Sequence, residues 1–281
     1  MKVREDIRKC VMFVGYEKPD GMNEFAGTAF LVANNYKEPK FSFNYIVTAK
    51  HVIDNIRDKG CNKVLLRMNF NNGNAQWAES DISNWRFHPD DSEIDVAILP
   101  LSPVKDSDHL ACPLGLSATE KIIKTKGIGI GDDVFLTGLF VNHYGQRRNI
   151  PIIRVGNISA MPEEKVETRF GLIDAYLVEA RSIGGLSGSP VFVHLGETMI
   201  VNGEMYYRKS REGFYYLLGL MHGHFASNFL DIDTSMDGAF NRDKINMGIA
   251  IVVPVSKILE VIYQPEIRNM EKQDLDILRE N

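Results

Sequence analysis

Short β-rich runs broken by turn residues recur along almost the whole chain, and no alternation of strands with long helices is visible. Runs at residues 11–16, 27–33, 45–49, 64–70 and 95–101 are followed by others at 134–140, 151–161, 175–180, 190–194, 215–223 and 247–253. Between them stand turn clusters such as Lys18-Pro-Asp-Gly21 and Asn71-Asn-Gly-Asn74. Gly, Asn, Asp and Pro favour turns for distinct backbone reasons, and short strands at this spacing read as barrels or sandwiches. A chain of 281 residues is long enough to bury a large core as one domain of two packed halves.

Three segments at the edges of apolar runs carry the chemistry: Thr48-Ala-Lys-His51, Asp95-Val-Ala-Ile-Leu99 and Gly185-Leu-Ser-Gly-Ser-Pro190. A serine hydroxyl is a poor nucleophile until a base takes its proton, and a histidine does that well only when a third group fixes its tautomer. His51, Asp95 and Ser187 supply these parts in that order. Gly185 stands two residues before Ser187, so that the N–H groups of Gly185 and Ser187 can face a developing oxyanion. Taken singly each residue has a plainer reading, since the chain holds 7 histidines and 37 acidic residues and Ser-Gly-Ser-Pro is ordinary turn composition. An α/β-hydrolase elbow is excluded: it needs Gly-x-Ser-x-Gly with acid and histidine following the serine, whereas position 189 is Ser and the order is reversed.

Order, spacing and flanks together resemble the chymotrypsin-like serine proteases over residues 8 to 265. The resemblance implies an all-β fold of two six-stranded antiparallel β-barrels with a C-terminal helix. The first barrel, residues 1–115, would carry His51 and Asp95; the second, residues 116–281, would carry Ser187, the helix and a charged tail. The crossover is expected at 106–126, and residues 264–281 as a helix extension or a loose tail. Leu186 precedes the nucleophile, where zymogen-derived members have an aspartate, so activation by N-terminal cleavage is not expected. The segments 154–160, 185–192 and 248–254 look like the bacterial and viral branch, including HtrA-like proteases, but the tail is too short for a PDZ domain. The implied function is that of a serine endopeptidase; a catalytically silent protease-fold binding or scaffold module is the alternative. Counting back from the nucleophile, the family's pocket floor falls on Arg181 with Ser182 beside it. His222 and His224 align with residues bordering the pocket and the catalytic aspartate. A guanidinium there would favour an acidic side chain before the scissile bond, unless Arg181 faces solvent or a nearby Glu.

Composition agrees with a globular enzyme: 25% charged and 44% hydrophobic residues, near the average. A net charge of -5 gives no support for nucleic-acid or anionic-membrane partners. No apolar run approaches the roughly 20 residues needed to span a bilayer, and the charged N-terminus lacks an apolar signal core. Cys10, Cys61 and Cys112 are widely spaced and odd in number, so no disulfide framework, zinc site or other cofactor is expected. A cytoplasmic location follows as an expectation, with a protein or peptide substrate and room for a regulatory protein partner. The acids from Asp231 resemble a calcium loop, but Met236 and Arg242 stand where glycine and glutamate are required, and the segment reads as a polar loop.

Overall fold

The structure, a computed structural model, describes residues 3–37, 40–102, 104–168, 171–180, 185–196, 198–201, 204–207, 215–227 and 245–280. Its first half is one eight-stranded sheet. Strands β1 (Val11–Glu17), β2 (Asn23–Tyr36), β3 (Phe41–Thr48), β4 (Lys63–Asn69), β5 (Ala75–Asp81), β6 (Arg86–Phe87) and β7 (Ala97–Leu101) pair antiparallel in the order 5-4-1-2-3-7-6, and β8 (Cys112–Pro113) joins β2 in parallel.

The expected six-stranded first barrel is therefore a curled half-barrel. Its two edge strands, β5 and β6, are consecutive in sequence and linked by the 3-10 turn Ile82–Asn84. Ile82 and Trp85 of this link are buried. Both belong to the core of the half-barrel, and β6, with two residues, is too short to provide the ladder that would close a barrel. β5 escaped the sequence reading because its side chains alternate between half-buried and exposed as a polar edge strand.

The second half closes as expected. Its strands are β9 (Asp133–Gly138), β10 (Ile152–Ala160), β11 (Val166–Thr168), β12 (Gly171–Ile173), β13 (Tyr176–Glu179), β14 (Pro190–His194), β15 (Thr198–Val201), β16 (Glu204–Tyr207), β17 (Tyr215–Ser227) and β18 (Ile245–Pro254). A six-stranded barrel forms in the order 10-13-18-17-14-9, and β11–β12 and β15–β16 stand apart as hairpins. Its strands read with period two. Val134, Leu136, Val191, Val193, Ala250 and Val252 fill the barrel. Their neighbours Phe135, Phe192, Ile251 and Val253 turn outward into a second core shared with Phe13, Phe30 and Ile46 of the half-barrel. The halves are joined by continuous apolar packing.

Five helices complete the description: α1 (Glu5–Lys9), α2 (Lys50–Asp58), α3 (Glu120–Lys126), α4 (Val255–Ile262) and α5 (Pro265–Glu280). α3 lies on the crossover, capped by Thr119, whose side chain accepts from the Ile122 N–H, and ended by Gly127 in the left-handed conformation. The charged tail is α5, and it docks on the first half, not the second. Buried Glu271 accepts from Asn34 Nδ2 at 2.8 Å, Tyr36 OH at 3.1 Å and Tyr45 OH at 2.6 Å, and is paired with Arg268 at 2.6 Å. Every oxygen of the buried carboxylate is thus satisfied, as burial of a charge demands. Burial and the Glu271 carboxylate push the Tyr45 phenol far up, keeping it a donor. Among the described residues, no helix is long and apolar enough to cross a membrane.

Candidate active site

The site lies where the half-barrel meets the closed barrel. β3 ends at Thr48, and the chain turns at once into α2, so His51 sits in the first helical turn, held by buried Val52, Ile53 and Ile56. Asp95 lies on the approach to β7, between buried Ile94 and Val96. The two meet twice: the His51 main-chain N–H donates to Asp95 Oδ1 at 2.8 Å, and His51 Nδ1 lies 2.7 Å from Oδ2. Both side chains are about 5% exposed. With Nδ1 carrying the proton toward the carboxylate, Nε2 is left with its lone pair, as a general base requires.

A third group shares this carboxylate. His222 Nδ1, on β17, lies 2.5 Å from the same Oδ2. The two imidazole rings meet edge to face, 5.4 Å between centroids. Burial raises the Asp95 carboxyl, but the hydrogen bonds from His222 and His51 and their attraction outweigh it, and the group is held well below the usual carboxylate range. These three side chains are also the one group with metal-ligand chemistry among the described residues. The spacing is that of protons, however: a tetrahedral ion about 2.05 Å from each ligand would hold adjacent donor atoms about 3.3 Å apart, against 2.7 and 2.5 Å here. With 4% of its side chain exposed, His222 borders the acid.

Ser187 sits on the turn before β14. Gly185 and Gly188 both have positive φ, 96° and 81°, conformations cheap only for glycine. A Cβ on Gly188 would also stand 2.2 Å from the Thr28 carbonyl and 2.3 Å from Thr48 Oγ1, so the tight approach of the two halves depends on its absence. The turn is pinned from the half-barrel by Thr28, a buried β2 residue that the sequence reading passed over. Its N–H donates to the Ser187 carbonyl at 2.9 Å and its hydroxyl to the Gly185 carbonyl at 2.7 Å. Only a hydroxyl inside the otherwise apolar stretch 25–33 marked it in the sequence.

The structure thus brings together His51, Asp95, His222 and the Gly185–Ser187 turn. The Ser187 hydroxyl donates to the His222 carbonyl at 3.3 Å, not to His51. Leu186 is fully buried in the second-barrel core. His224, two residues beyond His222 on β17, is half-buried. Arg181 and Ser182, expected at the pocket floor, and the acidic segment from Asp231 lie outside the described residues. Cys10 and Cys112 are buried, and Cys61 is half-buried.

A half-barrel and a closed barrel with a His–Asp pair at their junction define a trypsin-like protease fold. Among solved structures, the apo form of the MamO protease domain from Magnetospirillum magneticum matches with a TM-score of 0.52, covering 92% of this chain and 97% of that one at 12% sequence identity. At that identity the likeness is one of fold. No family model matches the chain, and no curated protein matches it.

Proposed function

We propose that this chain is a serine endopeptidase acting through Ser187, His51 and Asp95. The observation that carries the reading is the buried His51–Asp95 pair, in which both the ring and the main chain of the histidine are fixed on one carboxylate. Such double anchoring serves a base that must present Nε2 in one direction. In the proposed reaction Ser187 Oγ swings from the His222 carbonyl to His51 Nε2 and loses its proton to that nitrogen. Oγ bonds to the scissile carbon, and the carbonyl π pair moves to oxygen between the Gly185 and Ser187 amides. His51 returns the proton to the leaving amine as the C–N bond breaks. Water then repeats the sequence, giving up a proton to His51 and releasing the acid and Ser187. The substrate is a protein or peptide segment, bound at the open face of the junction.

A second reading, a protease-fold module without catalysis, is favoured by one observation: the Ser187 hydroxyl is bonded to the His222 main chain. A fluorophosphonate probe separates the two. Under the peptidase reading it labels wild-type protein at Ser187 and leaves Ser187→Ala and His51→Ala unlabelled. Wild-type protein that stays unlabelled, with unchanged melting behaviour in both variants, favours the silent module.

A further inference from the structure

We infer that Thr28 is a positioning residue that sets the direction of the Ser187 N–H, and so controls the oxyanion site from the opposite half of the molecule. The inference rests on the peptidase reading for its catalytic consequence, but not for its structural one. Peptide groups are planar, so the direction of a C=O fixes that of the N–H on the same unit. Three successive units around the nucleophile are tied. The Gly185–Leu186 carbonyl accepts the Thr28 hydroxyl at 2.7 Å. The Leu186–Ser187 carbonyl accepts the Ser189 N–H at 3.0 Å, which turns the Ser187 N–H to the opposite side. The Ser187–Gly188 carbonyl accepts the Thr28 N–H at 2.9 Å. Thr28 therefore holds the units on both sides of the one that carries the proposed donor.

Thr28 is itself given no freedom. Its hydroxyl accepts the Leu139 N–H at 2.9 Å while donating to Gly185, and its carbonyl accepts Thr48 Oγ1 at 2.7 Å. The residue before it must be small: a Cβ on Gly27 would lie 3.0 Å from both the Ser187 carbonyl and Val52 Cγ2. Thr48 precedes the turn into α2, so the strut that reaches the nucleophile turn is braced beside the segment carrying His51. Relative placement of base and oxyanion donor is what such a strut would preserve, because an oxyanion donor acts only when aimed at the position the charged oxygen will occupy.

The test uses the full chain with Thr28→Val, which keeps the shape and removes the hydroxyl, and Thr28→Ser, which keeps the hydroxyl. Hydrolysis of an activated peptide ester should show kcat falling about ten- to a hundredfold in Thr28→Val with KM nearly unchanged. Thr28→Ser should recover most of it. Hydrogen exchange of the segment 185–189 should be faster in Thr28→Val and close to wild type in Thr28→Ser, with α2 unchanged in both. Wild-type kcat and wild-type turn exchange in Thr28→Val overturn the proposal, as does a loss that Thr28→Ser fails to recover. Should Thr28→Val prove too unstable to assay, Thr28→Ser alone decides: wild-type turn protection supports the strut, and fast turn exchange overturns it. If the wild type hydrolyses nothing while Thr28→Val still loosens the turn and Thr28→Ser restores it, the peptidase reading fails and the strut stands.

Discussion

The His51–Asp95 half of the candidate site and the Ser187 half are held by different kinds of bond. His51 and Asp95 belong to the half-barrel and grip each other directly, through a side-chain carboxylate with three nitrogen contacts. The Ser187 turn belongs to the closed barrel and is held by its main chain, with two glycines in the left-handed region and carbonyls tied to Thr28. Each half also reaches into the other: Thr28 crosses to the Ser187 turn with two bonds, and His222 crosses to Asp95. The comparison teaches that neither half of this site is self-sufficient, although each is built on its own sheet. A site split across two units keeps its geometry only if the bonds between the units are as well formed as those within them.

The largest expected effect falls on the Ser187 half. Ser187→Ala removes one hydroxyl whose bond to the His222 carbonyl is long, 3.3 Å, so its melting temperature should stay close to wild type. Peptide hydrolysis should fall by about 10⁴- to 10⁶-fold. Residual activity near the wild-type level in a stopped assay would remove Ser187 from the chemistry.

Next in size is the clasp that ties α5 to the half-barrel. Glu271→Ala strands the buried Tyr45 hydroxyl and the Asn34 amide without their acceptor, which should cost about 3 kcal/mol of stability. Denaturant unfolding measures it, and a midpoint within error of wild type would show that α5 does not help to hold the half-barrel. Smaller again is the crossing from the barrel to the acid. His222→Leu deletes a donor to a buried carboxylate and should lower kcat about ten- to a hundredfold. His222→Asn can keep a donor near Nδ1 and should recover much of that. Equal activity in the two variants would mean that Asp95 needs only His51.

What the sequence disclosed follows the same division. Strands covered by apolar residues, such as 11–16 and 190–194, declare themselves by residue type, and the segments of His51, Asp95 and Ser187 declare themselves because each stands at the edge of such a run. Elements whose residues are polar or half-exposed do not. β5 and the hairpin β15–β16, where Met205, Tyr206 and Tyr207 are exposed, were therefore invisible. Closure of the first sheet was misjudged because it depends on which strand edges meet, and that is decided by the link at residues 82–85 and the two-residue β6. The α5 clasp was missed because Glu271 in a charged tail looks like a solvated residue until Asn34 and Tyr45 are brought to it. Thr28 shares that difficulty: it acts on a residue more than a hundred positions away, and no local pattern encodes a partner at that distance, whereas His222 was reached only through the family resemblance, which set it beside the pocket and the aspartate.

The smallest predicted effect concerns pH and separates the half-barrel's structural histidine from the histidines of the site. His109 Nε2 accepts the Asn69 N–H at 2.9 Å, so its proton sits on Nδ1, which faces the Lys9 carbonyl at 2.9 Å. That arrangement needs the neutral ring, and burial depresses its pKa below the ordinary 6.5, outweighing the Lys9 carbonyl and Asp108, which pull the other way. The unfolded chain therefore takes up this proton first as the pH falls. The contribution of neutral His109 to stability is complete above pH about 6.5 and is lost progressively below it, until the folded protein is protonated too. The Asp95 carboxylate, also depressed, keeps its contribution down to pH about 4 and loses it only below. His109→Gln, which does not titrate, should be less stable than wild type at pH 7.5, and the gap in melting temperature should narrow between pH 7 and pH 5 while Asp95 stays ionised. A gap that is constant over that interval would mean that His109 is not held neutral, and that its bond to Asn69 does not bind this loop to the half-barrel.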